Sequence, residues 1–398
     1  TPTSVPLTSS DITDGIITSA KIADGAVATV DIADANVTAA KLASGTVQNQ
    51  SSFKNIIING DMSLAQRATS ASSLTGSGYN TVDRFRTNMG TAGTWTQSQS
   101  TDVPTGQGFA KSLKMDCTTA NGSLSAGSYL IIDQRVEGQN LQYLKKGTSS
   151  AESTTISFWV KSAKTGTYIA NLSDLDNSRY IANSYTISSA NTWEKKTITY
   201  AGDTTGAFGN DNGASLKVQF WLVAGTTYSS GTLATSWESN TNANNAVGQV
   251  NLADSTSNDW YVTGVQLEAG TTASEFEFLP FAANLTRCQR YFQKSYDVNV
   301  NPATSTSVGE QTIGGGSDAG GNISVMLTQH GEMRSAPTIV GYAGGTSGSW
   351  GVNRNGASGT GTFNTHRNGQ HSTSAYAAIG AGWTVGWITG HFTMSSEL

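Results

Sequence analysis

The groups able to act as acids, bases, nucleophiles or metal ligands in this 398-residue chain are 28 Asp and Glu, four His and two Cys. Cleavage of a glycan needs two carboxylates converging across a groove. Asp133, Glu137, Asp174, Asp176 and Glu268 stand near apolar residues, but no spacing among them selects a pair, and Asp174 and Asp176 read as loop residues. No Gly-x-Ser-x-Gly elbow opens a helix, so a nucleophilic triad has no sequence anchor. The histidines (His330, His366, His371, His391) all fall near the C-terminus. His366 and His371, five apart in a glycine-rich stretch, form with His391 a candidate transition-metal set. The better-supported chemistry is recognition without catalysis. A sugar ring lays its C–H face on Trp or Tyr, while Asn, Asp and Arg take its hydroxyls. Trp350, Arg354, Asn355, His366, Arg367, His371 and Tyr376 fall in C-terminal stretches read as loops, where recognition residues sit on a rigid scaffold. They are the expected receptor contacts.

The elements that must position these residues are β-strands. With 44 Gly, 6 Pro and 13% charged residues, the composition suits an all-β protein with polar turns. A net charge of -5 with no basic face argues against nucleic acid. No apolar run is long enough to insert in a membrane. Cys117 and Cys288 are too few and too distant for a disulfide scaffold and read as buried thiols made in a reducing cytoplasm.

Near the start, Ile12, Ile17, Ile22, Val27, Ile32, Val37, Leu42 and Val47 recur every five residues. That period is neither helical nor strand-like; such units bury their side chains by stacking on copies of themselves. Residues 1–52 are therefore expected to form a pentapeptide-like repeat shaft that draws core from other chains. From Phe53 to residue 284, short alternating strands predict an antiparallel β-sandwich. Ala282 to about Lys294 is expected to be one short connector helix, with Leu285, Cys288, Tyr291 and Phe292 on one face. Residues 285–398 hold that connector and a small C-terminal β-sandwich tip. Trp159, Trp193, Trp221 and Trp260 read as packing, Trp383 and Trp387 as core, and Trp95 and Trp237 as exposed loop residues.

Two groups of motifs bracket the middle region. Asn55-Ile56-Ile57-Ile58-Asn59-Gly60-Asp61-Met62, Ala65-Gln66-Arg67 and Val82-Asp83-Arg84-Phe85 open it. Tyr261 to Gly270, Glu275-Phe276-Glu277-Phe278 and Arg287-Cys288-Gln289-Arg290-Tyr291-Phe292 close it. These segments resemble a jelly-roll domain of bacteriophage tail fibres that is similar to carbohydrate-binding modules. Met333 to Thr338 and Gly390 to Thr393 look like a distal fibre domain. The resemblance implies a virion tail protein made in the host cytoplasm, a homotrimer, and attachment to a host cell-surface glycan or outer-membrane receptor. It implies further that the N-terminus meets the phage tail, baseplate or an adaptor protein. No attachment domain is evident before Asp11, so the chain is either a fragment or uses Thr1–Ser10 as the attachment peptide. Jelly rolls of this type pin their first and last strands with calcium, for which Asn59, Asp61 and Glu268 supply oxygen ligands. A glycan-cleaving tailspike and a purely structural connector or spacer are the alternative readings.

Overall fold

Alternation sets the strands. Over Thr154–Ser162, Ile156, Phe158 and Val160 are buried in the core while Trp159 between them is half-exposed, the period of two that sends successive side chains to opposite faces. The computed structural model describes residues 53–398 except 316, 317, 319, 320, 355, 356 and 379–385. The repeat of residues 1–52, and with it the expected shaft, lies outside the described residues. Phe53–Leu398 is one compact unit that holds two β bodies.

The first body runs through β1 (Ser70–Leu74), β2 (Arg86–Gly90), β3 (Thr94–Ser100), β4 (Ser112–Thr119), β5 (Tyr129–Glu137) and β6 (Thr154–Ser162). It continues with β7 (Gly166–Asp174), β8 (Arg179–Ile187), β9 (Glu194–Tyr200), β10 (Ala214–Ala224), the single turn α1 (Thr226–Ser229), β11 (Glu238–Ser239) and β12 (Asp259–Ala269). They form two six-stranded sheets, ordered β1-β3-β4-β12-β6-β9 and β11-β8-β7-β10-β5-β2, every pairing antiparallel. The all-β sandwich is thus present. Between the sheets, Phe158 meets Phe220 edge-on with centroids 5.0 Å apart, and Trp95 and Trp260 are wholly buried beside them. Trp95 was expected in an exposed loop. It lies instead in β3, its Nε1 donating to Ala92 O at 2.7 Å, because a buried indole needs one acceptor and finds it locally. Trp237 likewise is partly buried against the core and donates to Ala201 O. Cys117 and Cys288 are free and buried.

The two ends of the sandwich meet as a polar clasp. Asn55 Oδ1 accepts from Ile57 N and Leu267 N, and its Nδ2 donates to Val265 O at 3.1 Å. Gly60 O accepts from Val265 N, and a Cβ on Gly60 would stand 2.0 Å from Val265 O, so only glycine fits this close approach. Asn55→Ala is expected to cost about 1–3 kcal/mol, since it strands buried backbone groups. Urea unfolding of wild type and variant measures this, and an unchanged midpoint would show that the clasp contributes nothing.

The second body follows α2 (Phe281–Gln289) and comprises β13 (Phe292–Lys294), β14 (Gln311–Gly315), β15 (Asn322–Leu327), β16 (Thr338–Ala343), β17 (Thr346–Ser347), β18 (Ser349–Arg354), β19 (Ala357–His366), β20 (Thr373–Ala378) and β21 (Gly386–Ser395). They form one nine-stranded sheet, β15-β20-β19-β18-β21-β16-β17, with β13 and β14 both on β21. One half of β21 lies between β14 and β18, the other between β13 and β16. The sheet so folded surrounds Trp350, Met333, Ile388, Phe392 and Met394. The helix is shorter than its periodicity suggests. Phe292–Lys294 leaves it to pair with β21, and Lys294 Nζ donates to the carbonyls of Gln66, Val298 and Val300.

The bodies join along a buried, charged seam. Arg84 lies 3.4 Å above the Tyr291 ring, donates to Arg135 O at 2.7 Å and pairs with Glu397. Arg67 also reaches Glu397, at 3.0 Å. Glu137 accepts from Arg290 Nε and Nη2, each at 2.7 Å, and from the Tyr291 hydroxyl.

Candidate ligand-binding face

The second sheet has one face toward the core and one away from it, and the outward face carries the unusual chemistry. At one end of this face Ile131, Ile169, Tyr180, Ala182 and Trp221 are covered by the 225–250 segment through Ala234, Ala246, Tyr228 and Leu233. At the other, Glu137 of β5 meets Arg290 and Tyr291 of the second body. Between them the strand register aligns Arg86, Asp133, Gln219 and Asn171 in one row across β2, β5, β10 and β7. Arg135, Lys217 and Ser173 form the next row.

These rows are short of partners. Both Asp133 oxygens, Arg135 Nε and Asn171 Oδ1 are buried without a hydrogen bond within the protein, as is Trp221 Nε1 on the same face. Arg86 stands 3.6 Å and Arg135 3.8 Å from the Asp133 carboxylate, in attraction but beyond hydrogen-bonding distance. Buried polar groups are normally paired, so a cluster of exceptions on one face needs a cause. Burial pushes the Asp133 carboxyl upward against the pull of Lys217, Arg86 and Arg135. Burial likewise lowers Lys217, which Arg135 and Arg86 repel and Asp133 holds up. Such perturbed groups gather where proteins bind or react.

Of the residues expected to contact a receptor, Trp350 is displaced from that role. It is wholly buried in the second body, tilted on Phe363 and donating to His391 O at 2.8 Å. Large aromatics are drawn to the core unless held out. Asn355 and the Arg354 side chain lie outside the described residues. His366 and Tyr376 pair ring on ring, 5.3 Å apart, across β19 and β20, with Arg367 and His371 exposed in the connecting loop. Trp383 is not described, and Trp387, expected in the core, is exposed because it faces outward on β21. In the first body Trp159 and Trp193, read as packing, stand half-exposed on the outward face of the first sheet. There Trp193 donates to Asp102 at 3.0 Å, and Lys161 lies 4.3 Å over the neighbouring Tyr261 ring.

Of the calcium set, Asn59 and Asp61 come together around the Ser63 hydroxyl and the Asn284 amide, and Glu268 does not share those partners. Asn59 binds Leu64 N, Leu64 O and Asp83 O, and Asp61 accepts from Ser63 and Asn284. Glu268 is engaged elsewhere, accepting from Gln266 and from both the backbone and hydroxyl of Ser274. The role assigned to the ion, tying first strand to last, falls to Asn55. Nor does His391 join His366 and His371. Its Nε2 donates to Thr306 O at 3.1 Å and its Nδ1 accepts from Ser295, while its ring stacks on Tyr296 at 3.7 Å. Among the described residues no group of three or more His, Cys, Asp or Glu is placed to hold a metal ion. No helix among them is long and apolar enough to cross a membrane.

The other carboxylates considered for catalysis are each tied into structure. Asp174 takes Lys146 at 2.5 Å and Asn177, Asp176 accepts from Gly209 N, and Glu137 locks the seam. For Glu137, burial opposes ionisation, but Arg290, Tyr291 and Gln139 prevail and hold it below the usual carboxylate range. Its contribution is therefore complete above the unfolded pKa and is lost as pH falls through the lower folded value. Glu137→Gln should flatten the loss of stability below about pH 4.5 and lower stability at neutral pH by about 1–3 kcal/mol. Chemical unfolding from pH 3 to 7 checks both, and parallel curves would contradict the assignment.

No family model matches the chain, and no curated protein matches its sequence. Among solved structures it is similar to the enzymatically active domain of tailspike protein 4 of bacteriophage CBA120, at 15% identity and a TM-score of 0.29. That likeness covers 54% of this chain and 21% of the tailspike. It is also similar to a family 61 carbohydrate-binding module in complex with β-1,4-galactotriose (10% identity, 46% of this chain and 88% of that one, TM-score 0.25). The N-terminal cellulose-binding domain of Cellulomonas fimi β-1,4-glucanase C gives 12% identity, 44% and 85% coverage and a TM-score of 0.25. The chain thus spans about a fifth of the tailspike's length, and at these identities and TM-scores the likenesses decide neither ligand nor activity.

Proposed function

We propose that this protein is a phage tail fibre that attaches the virion to a host bacterium as a homotrimer, by binding a surface glycan without cleaving it. The observation that carries the binding reading is the outward face of the second sheet, where polar and charged side chains stand in register with several of their atoms short of a hydrogen bond in the protein. Sugar hydroxyls and charged substituents are the groups such a row complements. The opening and closing motifs of the sandwich support the fibre assignment. The engagement of Glu137, Asp174, Asp176 and Glu268 in structural bonds supports binding over hydrolysis.

The outward-facing row lies in the sandwich, so this reading moves the glycan contact from the C-terminal body to the first one. A trimer turns weak sites into avid attachment, with gains on the order of a hundredfold or more. Two measurements test the proposal. Light scattering on the full chain should give three times the chain mass, falling toward one when residues 1–52 are removed. Incubation with host polysaccharide should show binding without release of oligosaccharides. A monomeric full chain would remove the fibre reading, and released product would replace adhesion with depolymerisation.

A further inference from the structure

We propose that Arg86, Arg135 and Lys217, set around Asp133 on the outward face of the second sheet, bind the acid group of an anionic sugar, a carboxylate or a phosphate. The inference rests on the glycan-binding reading above and gives it a substrate class.

The charge balance leads to this class. Three cations share one carboxylate, and that carboxylate is within hydrogen-bonding distance of none of them. Lys217 makes no direct hydrogen bond and is attracted to Asp133 only from beyond contact distance, and Arg135 Nε is buried without an acceptor. Cations held near one another repel, and an added anion relieves that repulsion. A bound metal ion is the wrong complement, because three positive groups already surround the one acid. An external acid group is the right one. Guanidinium forks match the spacing of carboxylate and phosphate oxygens, and Lys217 adds a point charge. Arg86 and Arg135 are 21% and 27% exposed, so the cations reach solvent while Asp133 lies beneath them.

The polar part of the site follows from the register. Gln219 stands beside Asp133, and Asn171 beside Gln219, on adjacent strands. Gln219 and Asn171 are only 4% and 1% exposed, so they form the buried floor beside the cations, with Asn171 Oδ1 unpartnered. From β2 to β7 the row crosses four strands, roughly 14 Å at the usual strand spacing. The solvent-reaching cations, Arg86, Arg135 and Lys217, stand on β2, β5 and β10, so the acid group is taken at that end of the row.

The test uses the full chain on arrayed oligosaccharides offered in matched sets: glucuronic-acid-containing, the same glycans after carboxyl reduction, and phosphorylated counterparts. Wild type should bind an acidic member at least about tenfold tighter than its reduced partner, with the preference weakening as NaCl rises. Whether the carboxylate or the phosphate member binds tighter identifies the acid. Lys217→Gln should abolish the preference in a chain that still melts cooperatively, which separates lost recognition from lost folding. Asp133→Asn should strengthen acid binding by removing the competing internal carboxylate. Equal binding of acidic and reduced glycans, or an undiminished preference in Lys217→Gln, would overturn the inference and leave the glycan reading standing. A folded chain that bound none of the glycans would overturn both.

Discussion

Arg84→Met is expected to uncouple the two β bodies. Arg84 is buried, its guanidinium flat on Tyr291, paired with Glu397 and donating to Arg135 O. Removing one partner of a buried ion pair leaves the other charge without compensation, at a cost of about 3–5 kcal/mol. Glu397 would keep Arg67 at 3.0 Å, which places the loss at the lower end. The measurable consequence is a change in cooperativity. Wild type should unfold in one transition, because its bodies share this seam. The variant should show two, with protease cutting first between α2 and β14. A single unshifted transition in calorimetry would mean that the other seam contacts, Glu137 with Arg290 and Lys294 with Gln66 among them, hold the bodies together without Arg84.

Trp350→Ala should have a comparable effect confined to the second body. Removing a fully buried indole leaves a cavity worth about 3–5 kcal/mol, and the His391 carbonyl loses its donor. The main chain of Gly390 is packed so closely on the ring that a Cβ there would lie 2.6 Å from it. The second body's core is much smaller than the first's, so its β14–β21 strands should melt well below the sandwich. This result separates two roles for the same residue. A receptor-contact tryptophan would lose cell adsorption at an unchanged melting temperature; a core tryptophan lowers the melting temperature whatever happens to adsorption.

A good part of the fold was legible in the residue order. Ile156, Phe158 and Val160, or Leu130, Ile132 and Val136, are buried at alternate positions because strand pleating converts a period of two directly into a face. The motifs at the two ends of the sandwich do meet, through Asn55 and Gly60 against β12. Both cysteines are buried, as their number and distance suggested. Helix length was less legible: Phe292–Lys294 fits the helical stripe of α2, yet pairing with β21, a hundred residues on, outcompetes it.

The sites were the least legible part, for one physical reason. Whether an aromatic or acidic side chain faces solvent depends on what the rest of the chain places over it. Trp350 and Trp95 look like loop residues by neighbourhood, yet strand pairing carries both inward, while Trp387 on β21 is left outside. Asn59, Asp61 and Glu268 are the right atoms for calcium, but local hydrogen bonds draw Glu268 to Ser274 and Asn59 to Leu64. The row of Arg86, Asp133, Gln219 and Asn171 comes from four separated strands, with no spacing in the chain to announce it. Residue order alone specified an all-β chain with a five-residue repeat and alternating strands. Which polar groups came to lie on the outward face short of hydrogen bonds was set by the folded chain, because that depends on strand order and register between segments that sequence distance does not relate.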